Sequence, residues 1–288
     1  MSDTTRGLLW MLGTIVSFSL MAVSGRELAG ELDTFEIMLF RSCLGVIIVT
    51  AVIAATGRWA ELHTSIIGQH TLRNCTHFIG QNLWFLALAY IPLAQVFALE
   101  FTTPLWVILL SPFFLGEKFT PLRLVCALLG FVGILLITRP GTIPMNVGVF
   151  AGASCAIFFA LTIIMTKRLT RQDSIACIMF YLTVIQLVLG LVAAGYDGDI
   201  TLPNATTLPH VILIGLCGLA AHFCYTKALS LAPATVVSPM DFARLPTIAI
   251  IAWILYAESL DIYVFVGAVV IFAGNYFNIW SETRAKRA

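Results

Sequence analysis

Apolar residues run in blocks of about twenty along almost the whole chain, the length a helix needs to cross a bilayer core. Charged residues, Gly and Pro punctuate the blocks. Taken as boundaries, they predict ten helices over 7–27, 34–55, 70–90, 93–115, 121–139, 147–167, 174–195, 208–230, 234–256 and 261–280. Several junctions are only two or three residues long, as at Ile91-Pro92, Gly116-Glu117-Lys118, Arg139-Pro140-Gly141 and Ala232-Pro233. Only 57–69 and 196–207 leave room for longer loops, and no segment has the pattern of a soluble domain.

Charge placement adds an orientation. With a cytoplasmic N-terminus, the inner segments hold Arg6, Arg58, Arg73, Lys118, Arg123, Lys167, Arg168, Arg171, Arg284, Lys286 and Arg287. The outer segments hold only Arg26 and Arg139. Eleven against two is a strong positive-inside bias, so both termini are expected in the cytoplasm of a cell with an inner membrane. The first apolar run is longer than the core of a signal peptide and is read as a retained helix, although Ala22-Val23-Ser24 faintly resembles a cleavage site.

Composition agrees. Of 288 residues, 59% are hydrophobic and 11% charged, against about 25% charged in soluble domains. A net charge of +1 gives no basic field for nucleic acid. The seven cysteines sit in apolar stretches without a C-x-x-C pair and read as small buried hydrophobes. No metal or cofactor site is expected.

The chain also repeats itself. A shift of 141 positions superposes Pro92 on Pro233, Glu117 on Glu258, Gly133 on Gly274, Ala87-Leu88 on Ala228-Leu229 and Phe101 on Phe242. Glu100 falls on Asp241 and Phe18 on Phe159. The expected units are 1–141 and 142–288. Five helices per unit is an odd number, so the second unit must be upside down relative to the first. The fold class expected is an all-α membrane protein of ten transmembrane helices in two inverted five-helix repeats. Such repeats recur in secondary transporters, because one half-structure in two orientations gives states open to opposite sides. A duplicated bundle without transport is the plainer alternative.

These residues carry a family resemblance. LALAYIPLAQVFALE at 86–100, Pro104, LGEK at 115–118 and GFVGILLITRPG at 130–141 resemble the first half of an EamA-type carrier of the drug/metabolite transporter superfamily. KALSLAPATVVSP at 227–239, with Glu258 after it, resembles the second half. The resemblance covers nearly the whole chain. It implies ten helices, a central cavity, no ATP-hydrolysing part and no enzymatic activity. The family includes exporters of amino acids, aromatic ones among them, and uptake carriers such as those for S-adenosylmethionine.

Polar side chains deep in a bilayer usually face a cavity or the bundle interior. Asn74, His77, Gln81 and Trp84 recur at spacings of three and four, on one helix face. Under the 141 shift Gln81 becomes His222 and Trp84 becomes Tyr225, so a second stripe faces the first. Glu100, Asp241 and Arg244 add intramembrane charges, Asp241 and Arg244 as i, i+3 neighbours. The predicted depths of Arg41 and Glu100 match, so these two are expected to pair. His77, Gln81, Trp84, Glu100, His222, Tyr225 and Arg244 are the candidate substrate contacts. Arg41 and Asp241 are a candidate charge pair or coupling site. The same groups equally satisfy one another if they meet at a helix seam. Glu117 and Glu258, at helix ends, are expected to cap the next helix or gate the site. Pro104, Pro112, Pro239 and Pro246 are expected to bend two helices. Gly148, Gly152, Ala156 and Ala160 form a small-residue ridge for helix contact.

The sequence therefore points to a non-ATP carrier working by alternating access on a small molecule, in contact with lipid and as a monomer. Export of an aromatic or apolar amino acid is the main expectation. The alternative is uptake of S-adenosylmethionine or another nucleotide-like metabolite. An intramembrane hydrolase with Ser154 and His222 as nucleophile and base is a poor match, because no second glycine follows Ser154.

Overall fold

In the computed structural model, the described residues are 3–115, 121–139, 145–196, 198–232, 234–237, 241, 244–259 and 261–285. They form helices α1 (Asp3–Glu27), α2 (Thr34–Thr56), α3 (Ile67–Tyr90), α4 (Leu93–Glu100), α5 (Thr103–Leu115), α6 (Pro121–Thr138), α7 (Val147–Leu169), α8 (Ile175–Ala194), α9 (Leu208–Leu231), α10 (Ala234–Val237), α11 (Arg244–Tyr256) and α12 (Ile262–Ala285). A 3₁₀ turn at Arg58–Leu62 fills the first longer loop. Among the described residues no strand forms beyond one isolated bridge between Ala29 and Leu32.

Among the described residues, six helical stretches are long and apolar enough to cross a membrane: 5–27, 34–56, 93–115, 147–169, 175–194 and 208–231. The stretch 93–115 is α4 and α5 together, a helix the sequence predicts as continuous. It breaks at Phe101-Thr102, where the Thr102 and Thr103 hydroxyls donate back to the carbonyls of Leu99 (2.8 Å) and Glu100 (2.6 Å). Pro104 is the second residue of α5, where its missing N–H costs nothing. It starts a helix there rather than bending one, which corrects its expected role. Pro112 does lie inside α5. Glu117 and Pro239 fall outside the described residues, as does the side chain of Pro246 in α11.

The helix ends are set locally. Asp33 and Glu36 form a reciprocal capping box at the start of α2, and Gly57 ends that helix at φ 66°. Asn146 and Ser174 cap α7 and α8 by accepting from Val149 N–H and Cys177 N–H. In the 3₁₀ turn, Arg58 donates to Glu61 at 2.6 Å and holds its carboxyl below the usual carboxylate range.

Burial is inverted relative to a water-soluble protein. Phe113 is 80% exposed, whereas Arg244 is 1% exposed. Leu9, Leu12, Val16, Ile47, Val52, Val188 and Val192 also face outward. Arg41, Arg73, His77, Glu100 and His222 are buried. An apolar exterior around a polar interior suits lipid as solvent.

The packing follows the sequence repeat. The most extensive contacts are α1 with α9, α3 with α7, α6 with α12 and α2 with α8. Exchanging the two halves converts the first pair into the second and leaves the other two unchanged. Gly7 at the start of α1 lies against Ala228 and Ala232 at the end of α9, and Gly148 at the start of α7 lies against Tyr90 and Ile91 at the end of α3. The ridge of Gly148, Gly152, Ala156 and Ala160 is buried, with Gly152 against Leu99 and Ala87. Where α6 crosses α12, a Cβ at Gly133 would come within 2.5 Å of Ile271 and 2.7 Å of the Gly267 carbonyl. One obstacle is backbone, so neighbouring rotamers cannot absorb it. Gly133→Leu is expected to lower stability by about 1–3 kcal/mol or more, read as earlier thermal unfolding in detergent. Gly68→Ala, with open space around it, serves as the control.

The two ends of the bundle are tied by equivalent bonds. Arg26 in α1 donates to the carbonyls of Leu88 and Ile91 at the end of α3, the latter at 2.9 Å. Its repeat equivalent, Lys167 in α7, donates to the carbonyls of Leu229 (2.7 Å) and Ala232 (3.0 Å) at the end of α9. These four acceptors are themselves equivalent under the 141 shift. Glu258, following α11, pairs with Arg26 at 2.7 Å and accepts from Leu93 N–H at 2.9 Å. It thus caps α4 of the other half rather than the next helix, because α11 ends beside the start of α4.

Candidate functional site

A cleft lies between the halves, with walls from α1, α3, α4, α5, α7, α9 and α11 together with Asp241. The lining contains His77, Gln81, Trp84, Glu100, Pro104, His222, Tyr225, Asp241 and Arg244. The two polar stripes thus do meet at one cavity. Asn74 does not reach it, and its amide donates to the Tyr181 carbonyl on α8. Phe18, Phe101 and Phe159 add rings to those of Trp84 and Tyr225.

A charged triad closes one side. Glu100 accepts from Trp84 Nε1 at 2.7 Å on Oε2 and from Arg244 at 2.7 Å on Oε1. Arg244 also bonds Asp241. Its guanidinium sits over the rings of Phe18 (4.9 Å), Phe97 (5.1 Å) and Phe101 (5.8 Å), an arrangement favourable to a desolvated cation. Two carboxylates face one arginine here. Asp241 Oδ1 and Arg244 Nε are buried without a hydrogen-bond partner. Buried polar atoms are normally satisfied, so a ligand in the cleft is the natural partner for both.

Arg41 does not pair with Glu100. It reaches Met38 Sδ (3.7 Å), His77 Nε2 (3.3 Å) and His222 Nε2 (3.4 Å). The predicted depth match does not hold: Arg41 meets His77, whereas Glu100 meets Trp84 about two turns further along α3, and α2 packs on α8 and α9. A guanidinium only donates, so both Nε2 atoms accept and each imidazole carries its proton on Nδ1. The two rings meet edge to face at 4.6 Å. His77 Nδ1 has no partner, nor does Gln81 Nε2, and both residues line the cleft. Four orphaned atoms, three donors and one acceptor, therefore surround one space.

Sequence reasoning missed several lining residues, among them Met21, Arg73, Thr162, Ile163, Thr166 and Thr226. Arg73 counts as an inner-flank charge if its helix starts at 70, but α3 starts at Ile67 and places it a turn and a half inside. It is 2% exposed. Its Nε donates to Thr166 Oγ1 (3.1 Å) and one terminal nitrogen to Asn74 Oδ1 (2.9 Å). Ser154, the candidate nucleophile, is not among the lining residues, and His222 is held by Arg41.

Known proteins place this architecture. A solved structure matches over 98% of this chain and 99% of its own, with a TM-score of 0.71 and 17% identity, a likeness of fold. The S-adenosylmethionine uptake transporter of Rickettsia felis is 29% identical over 280 residues, covering 97% of this chain and 94% of that one. The riboflavin transporter of Brucella anthropi is 34% identical over 230 residues, covering 78% and 81%. The riboflavin transporter of Vibrio cholerae is 28% identical over 286 residues, covering 98% and 95%. These relatives carry the names of transporters, not of enzymes and not of amino-acid exporters. Residues 5–139 and 146–280 each match the EamA-like transporter family. Two matched stretches that between them span nearly the whole chain, wrapped around a polar cleft inside an apolar bundle, make this chain a membrane transporter of the EamA-like family.

Proposed function

We propose that this chain takes up S-adenosylmethionine, or a closely similar cationic nucleoside bearing an amino-acid group, by alternating access. The observation that carries the reading is the local excess of carboxylate at one pole of an aromatic cleft: Glu100 and Asp241 against Arg244, with Asp241 Oδ1 unpartnered. A sulfonium and an ammonium offer such a carboxylate the cation it lacks, while Trp84, Phe101, Phe159 and Tyr225 offer rings to stack an adenine. Riboflavin is neutral and would leave the buried charges uncompensated. An apolar amino acid would leave most of the aromatic wall unused. The names of the Rickettsia relatives support the same choice.

The carrier works, on this reading, as ten spans in two inverted halves, 1–141 and 142–288, with both termini cytoplasmic and the substrate held between the halves by His77, Gln81, Trp84, Glu100, His222, Tyr225 and Arg244. Support comes from the helix ends. Arg26 ties the end of α1 to the end of α3, and α7 starts where α3 ends. Equivalent helices α1 and α7 therefore run in opposite directions.

The test is uptake into proteoliposomes of labelled S-adenosylmethionine, riboflavin and tryptophan. Saturable uptake of the first, accelerated by unlabelled S-adenosylmethionine on the other side, is expected. Uptake of riboflavin or tryptophan in its place would overturn the assignment.

A further inference from the structure

Arg73 is a buried cation without an anion. Among the described residues no carboxylate lies within ion-pair distance of it, and its contacts are the Thr166 hydroxyl and the Asn74 amide oxygen. The side chain lines the cleft. The nearby guanidinium of Arg41 is also without a carboxylate, so the two add to a positive field at this end. A buried, uncompensated charge is among the costliest features a fold can carry. It persists where something outside the fold completes it.

The repeat supplies an independent argument. Residues that hold the helix ends recur in both halves: Arg26 and Lys167 are equivalent under the 141 shift, and each donates to an equivalent pair of carbonyls. The equivalent of Arg73 is Ile214, which is fully buried and apolar (214 − 73 = 141). The five-helix unit therefore folds with a hydrocarbon at this position. An arginine in one copy alone answers to the asymmetric ligand, not to the symmetric scaffold.

We infer that Arg73, steadied by Thr166 and Asn74, is the anion subsite of the cleft and takes the carboxylate of the transported molecule. The Glu100–Asp241–Arg244 triad then receives its cationic part. Along α3, Arg73 and Trp84 are eleven residues apart, about 16 Å at 1.5 Å per residue, which leaves room for an extended zwitterion between the two poles. The inference rests on the substrate reading above and deepens it, because a molecule with no anionic group leaves Arg73 empty. A guanidinium also matches the two oxygens of a phosphate, so a lipid headgroup and the substrate carboxylate must be told apart by experiment.

In wild-type proteoliposomes, decarboxylated S-adenosylmethionine is set against S-adenosylmethionine as a competitor of labelled uptake. The analogue is expected to compete at least about tenfold more weakly, the loss of one charge-assisted hydrogen-bonded pair. In Arg73→Gln the two compounds are expected to compete alike, and Arg73→Lys to restore part of the discrimination. Equal competition in the wild type overturns the subsite while leaving the substrate reading intact. Discrimination that survives in Arg73→Gln also overturns it, as does discrimination abolished in phosphatidylglycerol vesicles and seen only in phosphatidylcholine, which assigns the anion to the acidic lipid headgroup. If neither compound is transported, the substrate reading falls. The subsite is then decided by acetate titration of the purified protein: thermal stabilisation of the wild type but not of Arg73→Gln upholds it, and equal or absent stabilisation refutes it.

Discussion

Glu100→Ala is expected to destabilise the purified protein by about 3–5 kcal/mol and to abolish transport. Both oxygens of Glu100 are in use, one by Trp84 Nε1 and one by Arg244. Removing them leaves an indole N–H without an acceptor and a buried guanidinium with half its compensation. The surroundings offer no replacement, because Phe18, Phe97 and Phe101 enclose the arginine and exclude water from it. Asp241→Asn is the informative contrast. It keeps the Arg244–Glu100 pair and the size of the side chain, and Asp241 has one oxygen that no described residue bonds. Its stability cost is expected to be less than half that of Glu100→Ala, while S-adenosylmethionine uptake falls at least about tenfold, as for a lost charge-assisted bond. Thermal unfolding in detergent and initial uptake rates separate the two effects. Equal stability costs for the two variants, with transport retained in Asp241→Asn, would make the triad a staple between α4 and α11 and remove it from the substrate site.

This division between holding the fold and holding the ligand explains what was legible in the sequence. The helices were, because a bilayer-spanning run of apolar residues is long and the solvent leaves few alternatives to a helix. The facing stripes of Gln81 and Trp84 and of His222 and Tyr225 were, because helical spacing fixes which residues share a face. The break at Thr102 was not: hydroxyls returning to Leu99 and Glu100 look like ordinary mid-helix threonines until the backbone is seen. Arg41 was given the wrong depth and the wrong partner, since counting residues from predicted helix ends carries the error of those ends: it meets His77, about two turns along α3 from the Trp84 that holds Glu100. Arg73 was hidden by three residues of helix boundary, the difference between a charge at the membrane surface and one inside. The preference for an amino acid came from counting a cation and an anion. It gave way once Arg244 proved to be shared by two carboxylates, and relatives named for S-adenosylmethionine and riboflavin matched the chain.

Glu258 offers the sharpest test of how the cleft is reached. It joins the two halves at the Arg26 end through both an ion pair and a helix cap, Arg26 at 2.7 Å and Leu93 N–H at 2.9 Å, beside a second ion pair between halves, Arg139 with Asp261. Tyr256 reinforces the same junction by donating to Glu27 at 2.8 Å. Glu258→Gln keeps an oxygen for Leu93 and removes only the charge seen by Arg26, so the cap survives and the latch weakens. Both side chains of the pair are part-exposed, at 21% and 13%, so solvent screens the interaction and a loss of about 1.4 kcal/mol is reasonable. That is a factor of about ten in population between the states closed and open at this end. With a cysteine at Met21 in the cleft, labelling by a membrane-impermeant maleimide from that side is expected to speed up by up to about tenfold in Glu258→Gln. Labelling from the opposite side should slow. Lys167 holds the end of α9 with the same pair of carbonyl bonds that Arg26 makes to α3, so each half fixes the corresponding helix end in the same way, and Glu258 adds the bond between halves at the Arg26 end. If Glu258→Gln lowers thermal stability but leaves both labelling rates unchanged, the latch is a structural clamp and the cleft opens by another route.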